Sequence, residues 1–246
     1  MYRFARLAAA AGAAAAMVGA APGLAAASPA APGALGITLV SPIASGYAAL
    51  PKPGGAQDFS HVQATFAVPG VACTAQNRTA QTRAGLDGIT SSTAEQVGVN
   101  EACVNAVPFY TAWYRMYPAA LVPVFSPAPG DTVRASVTAD AGVYTLSVHD
   151  LTSGKSFTVT KACASCLNSS AEVTAGSPSG IPPADFTVVH FTGIVVADGA
   201  GVSGGLANPV WKTVKLTQPG SPHTIAGVLH TLSAPPRSAF ADTWAP

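Results

Sequence analysis

The sequence predicts an all-β protein, a two-sheet antiparallel sandwich. Short runs of residues alternate apolar and polar along much of the chain. Turn signals punctuate them every eight to twelve residues or so, the spacing that a sandwich or barrel requires. No stretch beyond the N-terminal segment sustains a helical period.

The elements follow in order. At 61–68, Val62, Ala64, Phe66 and Val68 share one face, and Pro69-Gly70 ends the strand. A turn rich in Gly, Ser and Thr then leads into a strand near 94–99. At 109–117, Phe109, Thr111, Trp113, Arg115 and Tyr117 lie on one face, with Tyr110, Ala112, Tyr114 and Met116 on the other; Pro118 stops the run. Short strands are expected at 132–138, 143–149 and 155–161, separated by Ala141-Gly142 and Thr152-Ser153-Gly154. Further strands are expected at 169–175, 186–197 and 210–216. Neither a solenoid-type repeat nor a linker divides 42–246, which reads as one domain.

The first 27 residues read as a signal peptide. Arg3 and Arg6 form a positive start, an Ala-rich apolar run follows, and Leu24-Ala25-Ala26-Ala27 offers a cleavage site. The run is short for a membrane span and is broken by Gly12, Gly19, Pro22 and Gly23. Export to the extracellular space is therefore expected, without membrane attachment. Residues 28–41, rich in Ala, Pro and Gly, read as a flexible leader. Removing the signal takes two arginines and no acids, so the mature charge is roughly −1, which points away from nucleic acid. Charged residues make up only 9% of the chain, so few carboxylates are available to unfold it in acid.

Four cysteines in an exported chain favour two disulfides. Cys163-Ala164-Ser165-Cys166 closes a tight loop on itself, leaving Cys73 to pair with Cys103. A redox-active pair would need a βαβ setting that the pattern lacks. The five histidines are scattered, and no metal or cofactor is expected. No G-x-S-x-G, H-E-x-x-H or P-loop motif is present.

The most informative stretch is 83–118. It carries Gly85-Leu86-Asp87-Gly88, then Glu95-Gln96-Val97-Gly98, then Tyr110-Thr111-Ala112-Trp113-Tyr114 followed by Met116-Tyr117-Pro118. Downstream come Gly130-Asp131-Thr132-Val133, Cys163 and Cys166, Ser170-Ala171-Glu172 and Ala184-Asp185-Phe186. In order and spacing this resembles the glutamic peptidases, the G1 or eqolisin family formerly grouped as A4, over roughly 46–192. The resemblance implies a concanavalin A-like jelly-roll sandwich, a polypeptide substrate, an acid endopeptidase activity and a catalytic Gln/Glu pair. A carboxylate takes a proton from the attacking water, and a neutral amide donates to the developing oxyanion.

Gln96 matches the family glutamine. The ungapped match puts Glu172 on the first glutamate of the family's Ala-Glu-Trp-Ile-Val-Glu segment and Gly176 on the second, which is taken as the catalytic one. On that alignment the base is absent. Glu172, four residues away, is expected ~13 Å along the strand and out of reach. The resemblance also makes Asp87, Trp113, Tyr114 and Arg115 candidate cleft residues. Arg115 stands where the family pattern has Glu, and Arg83 where it usually has Trp. Three readings follow. One is a monomeric acid endopeptidase in which Gln96 polarises the carbonyl and Glu172 is the remaining candidate for the base, another an inactive relative holding peptide or glycan in the cleft with Trp113, Tyr114 and Arg115. The third is an unrelated lectin-like sandwich.

Overall fold

The computed structural model describes residues 37–246, other than 179–180, 221–222 and 234–235. The expected signal peptide and residues 28–36 of the leader lie outside the described residues. Every regular element among them is a strand.

One sheet has eight strands. Their order is β1 (Thr38–Val40), β14 (Lys212–Thr217), β2 (Ala44–Leu50), β11 (Ala171–Gly176), β4 (Arg78–Asp87), β5 (Ala94–Val104), β6 (Val107–Tyr117) and β7 (Val122–Phe125). The other sheet runs β10 (Ser156–Ala162), β9 (Val143–Asp150), β8 (Thr132–Asp140), β3 (Phe59–Ala67), β12 (Val188–Asp198), β17 (Pro236–Ala245) and β15 (His223–Ala226). Within it, β13 (Ser203–Gly204) pairs with β12 and β16 (His230–Ser233) with β17. All pairings are antiparallel except that of β1 with β14. That parallel pair corrects the expected boundary of the leader, because residues 38–40 already belong to the sheet.

The sheets bury their facing sides against each other. In the nine-stranded sheet the alternation is regular: Val133, Ala135 and Val137 of β8 and Tyr144, Leu146 and Val148 of β9 point inward. The eight-stranded sheet meets them with small residues, among them Ala84, Ala112, Ala171 and Ala175. Those alanines leave volume for Phe66, Phe191 and Phe240, whose rings pack edge-on or tilted at 5.8 and 4.8 Å between centroids. Tyr47 crosses the interface to Phe240 at 5.0 Å.

Strands β2 and β4 were missed by sequence reasoning, and the reason is physical. Every residue of β2 is buried, as are the last eight of β4, so neither strand has a solvent face to produce alternation. The outer side of β2 is covered by a second apolar cluster, in which Ala48, Leu50 and Val214 pack under Ile37, Leu39 and Ile89. This cover lies on one flank of the site described below.

Both disulfides form as the spacing implies, Cys73–Cys103 and Cys163–Cys166. The first closes 30 residues, so its loss should destabilise the fold by about 3–4 kcal/mol through the unfolded chain's entropy. The second closes only 3, and its removal should cost roughly half as much. Urea denaturation of the Cys73→Ala/Cys103→Ala and Cys163→Ala/Cys166→Ala variants measures both.

Candidate active site

Antiparallel pairing aligns residues of neighbouring strands into rows across the sheet. One row reads Val214, Ala48, Glu172, Gly85, Gln96, Arg115, one residue from each of β14, β2, β11, β4, β5 and β6. Their side chains stand on the outer face of the eight-stranded sheet, because the alternate residues Val97, Ala84 and Val173 belong to the core.

Gln96 Nε2 donates to Glu172 Oε1 at 2.7 Å, across the strand between them. Gly85 makes this possible: a Cβ there would lie 2.7 Å from Gln96 Cγ, inside any real contact. Gly88, at the following turn, also stays clear, since a Cβ on it would come within 3.2 Å of Glu172 Oε1. Arg115 Nη2 in turn donates to Gln96 Oε1. With its carbonyl claimed by a guanidinium, the amide can present only N–H groups to the carboxylate side.

These positions correct the sequence-based expectation for the carboxylate. Glu172 is in Gln96's row and within hydrogen-bond reach. Gly176 lies two rows away, level with Gln81 and Asn100. A Cβ at Gly176 would sit 2.1 Å from the Ile43 carbonyl oxygen, so that position has no room for a side chain.

The site is buried and charged. Gln96 is 3% and Glu172 4% exposed. Burial pushes the Glu172 carboxyl above the usual carboxylate range. Arg83, the Gln96 hydrogen bond and Arg115 pull it back, while Asp87 adds to the rise. Arg83 occupies the next row, between Thr174 and Gly98, and is itself only 2% exposed. Its Nη1 donates to Gln81 Oε1 at 3.0 Å, and Gln81 Nε2 donates to Asn100 Oδ1 at 2.9 Å. Burial weakens the Arg83 guanidinium's hold on its proton, and the Glu172 carboxylate restores part of it.

The other expected cleft residues separate. Trp113 is on the site's face but fully covered, with Arg115 above its ring at 5.8 Å. Tyr114 is corrected: it points to the opposite face and stacks on Phe157 of the second sheet at 5.6 Å. Asp87 is also corrected, from a cleft residue to an anchor. At φ 62° it turns the chain, and its carboxylate accepts from the N–H groups of Leu167, Asn168 and Ser169 at 2.9, 3.0 and 2.7 Å. The Ser169 hydroxyl adds a bond at 2.8 Å. These bonds hold the segment leading into β11, hence Glu172, against the turn that follows β4.

Sequence reasoning missed the acids beneath the site. Glu95 and Glu101 alternate with Val97 and Val99 on the core face of β5, and that pattern, carboxyls in apolar slots, is the signal that was available. Burial drives Glu95 up to about 8, and the negative charge of nearby Asp87 adds to the rise. Its Oε1 also lies 2.9 Å from Cys166 Sγ. Glu95, Cys163 and Cys166 bring their ligand atoms within 4.8 Å of one another, but both sulfurs are committed to the disulfide. Glu101 is fully buried, neither of its oxygens makes a hydrogen bond of good geometry, and burial pushes it well above the usual range. Asp242, bonded by Ser45 Oγ at 2.6 Å, is raised by burial to about 7.

A carboxyl whose folded pKa is raised stabilises the fold while protonated. That contribution is complete below about 4, where unfolded carboxylates titrate. It is lost as pH rises through about 7 for Asp242 and about 8 for Glu95. Asp87, held below its usual range, works oppositely and sets the acid edge. The melting temperature should therefore fall between pH 4.5 and 8.5, and Glu95→Gln and Asp242→Asn should flatten that fall; thermal denaturation across the range checks both.

The model of the Peptidase A4 family matches residues 44–229 of this chain. Among solved structures the fold is similar to scytalido-glutamic peptidase with a transition state analog inhibitor. The identity is 21% and the TM-score 0.67, covering 82% of this chain and 98% of that one. It is also similar to SCP-B, a member of the eqolisin family in a complex with the tripeptide Ala-Ile-His (20%, TM-score 0.61, 82% and 98% covered). The aspergilloglutamic peptidase from Aspergillus niger matches at 22% identity and TM-score 0.55, over 68% of this chain and 99% of that one. Comparison with curated proteins finds no match.

Proposed function

The chain belongs to the Peptidase A4 family, the glutamic peptidases, and from that premise we propose that it is an exported endopeptidase using Glu172 and Gln96 as its catalytic pair. The observation that carries the reading is the 2.7 Å contact between Gln96 and Glu172 across Gly85. The inactive, ligand-holding alternative started from a missing base, and a carboxylate beside the amide supports the active reading over it.

The chemistry follows from what each group can do. Ionised Glu172 takes a proton from water as the water oxygen bonds to the peptide carbonyl carbon. Gln96 has two N–H donors; one holds Glu172 and the second is available to the carbonyl oxygen as it becomes an oxyanion. Collapse of the tetrahedral species breaks the C–N bond, and the proton on Glu172 passes to the leaving nitrogen. Arg115 fixes which end of the amide faces the reaction and, with Arg83, favours the ionised carboxylate. Export is supported by the positively charged, Ala-rich N-terminal segment with its small-residue cleavage site. A monomer working on unfolded polypeptide at acid pH completes the proposal.

Cleavage of a denatured protein substrate between pH 2 and 7 tests it. Glu172→Gln should lower kcat/KM about 10²–10⁴-fold, and Gln96→Ala about 10²–10³-fold. No cleavage by the unmodified protein at any pH would refute the reading. Gly85→Ala should reduce kcat with the fold retained, because it forces the pair apart. The acid limb of the pH profile reports Glu172 ionising. Arg115 holds that pKa down, so Arg115→Gln should move the limb to higher pH, as a profile of kcat/KM would show.

A further inference from the structure

Arg115 differs from the rest of the site in being reachable. Gln96, Glu172 and Arg83 are all but covered, whereas Arg115 is partly exposed at the open end of the same row. Its guanidinium is held rather than free: it lies over the rings of Trp113 at 5.8 Å and Tyr117 at 5.5 Å. One Nη2 bond goes to Gln96, while Nε is enclosed with no partner. Two guanidiniums, Arg83 and Arg115, face the single carboxylate Glu172. The other nearby carboxylate, Asp87, is fully buried under three backbone N–H groups and two hydroxyls. The four charges balance in sum, but of them only that of Arg115 reaches the surface, so the accessible side presents a positive group.

We infer that Arg115 is a specificity residue that selects peptides carrying an acidic side chain within one or two residues of the cut bond. This rests on the peptidase reading above. Neighbouring strands are ~4.8 Å apart, so Arg115 is about one strand spacing from the amide that receives the scissile carbonyl. An extended peptide advances ~3.3 Å per residue, which places its nearest side chains within the guanidinium's reach. A fork held on aromatic faces loses little freedom when it binds a carboxylate, and partial burial strengthens the pair. A lysine at the same place would meet Arg115 and Arg83 with like charge.

The test uses internally quenched peptides identical except for Glu, Gln or Lys at each of the four positions flanking the cut. They are assayed at pH 5.5 and pH 3 with the unmodified protein and with Arg115→Gln and Arg115→Glu. At one position Glu should exceed Lys by ~10–100-fold in kcat/KM at pH 5.5. The advantage of Glu over Gln should fade at pH 3, below the ~4.3 pKa of the substrate's own carboxyl. The Glu/Lys ratio should collapse in Arg115→Gln and invert in Arg115→Glu; a ratio between substrates cancels any general loss of rate. Equal cleavage of the Glu and Lys peptides, or a preference that survives Arg115→Gln, overturns the inference while leaving the peptidase reading intact. Failure to cut any peptide overturns the peptidase reading. In that event calorimetric binding of the same peptides to Glu172→Gln still decides the charge preference: tighter binding of Glu than Lys supports it, and no difference refutes it.

Discussion

The absence of a side chain at Gly85 is the constraint on which the rest of the site depends. Gln96 and Glu172 belong to strands two apart, ~9.6 Å between backbones, and each must lean over the strand between them to touch. Even a methyl group at that point would occupy the space the Gln96 stem crosses. The geometry is thus fixed by strand pairing on both sides of β4. Two other features of the same turn support it. Gly88 leaves the Glu172 oxygen uncrowded, and Asp87 ties the approach to β11 against the end of β4. Glu172 is positioned by the segment that precedes it as much as by its own strand.

Burying a carboxylate on a sheet face is costly unless its charge is met. Apolar cover from Ala48 and the Ile89 cluster desolvates Glu172 on one side. Arg83 and Arg115 answer with positive charge, and Gln96 with a hydrogen bond. Arg83 is fully enclosed to do so and leaves its Nε without a partner. A cation is kept in that position where the neighbouring carboxylate requires it. Removing either charge would strand the other in a low-dielectric pocket, so the pair is expected to stand or fall together.

The fold was legible because most strands have one dry and one wet face, and alternation reads that difference directly. It failed at β2 and β4, where both faces are dry and the residues are small or polar, so nothing alternates. Gln96 and both disulfide pairs were legible from motif and spacing. The partner of Gln96 was not. Positions 172 and 176 have the same parity, so both side-chain vectors leave the same face of β11, and periodicity cannot separate them. Only register separates them, by placing Glu172 level with Gly85 and Gly176 level with Gln81. Register is a property of pairs of strands, set by turns and core packing far from either residue. The same limit explains Tyr114, whose face was readable but whose face's role depended on which sheet lay above it.

Strand β5 carries opposing demands on its two faces. Outward, Gln96 stands in the proposed reaction, which needs Glu172 ionised, so the proposed activity would require a pH above the raised pKa of that carboxyl. Inward, Glu95 and Glu101 are buried among valines and stabilise the sandwich only while they keep their protons. Asp242 adds the same demand from the facing sheet. Ionising Glu95 would set a second negative charge against Asp87, the anchor of the segment that positions Glu172. On the proposed function, the upper edge of the working range would be a structural limit, near the values of about 7 and about 8 at which these acids lose their protons. The lower edge would be a chemical one, set by the proposed base Glu172. The two limits are coupled through the sheet, because the Glu172 charge on its outer face adds to the rise of Glu95 on its core face.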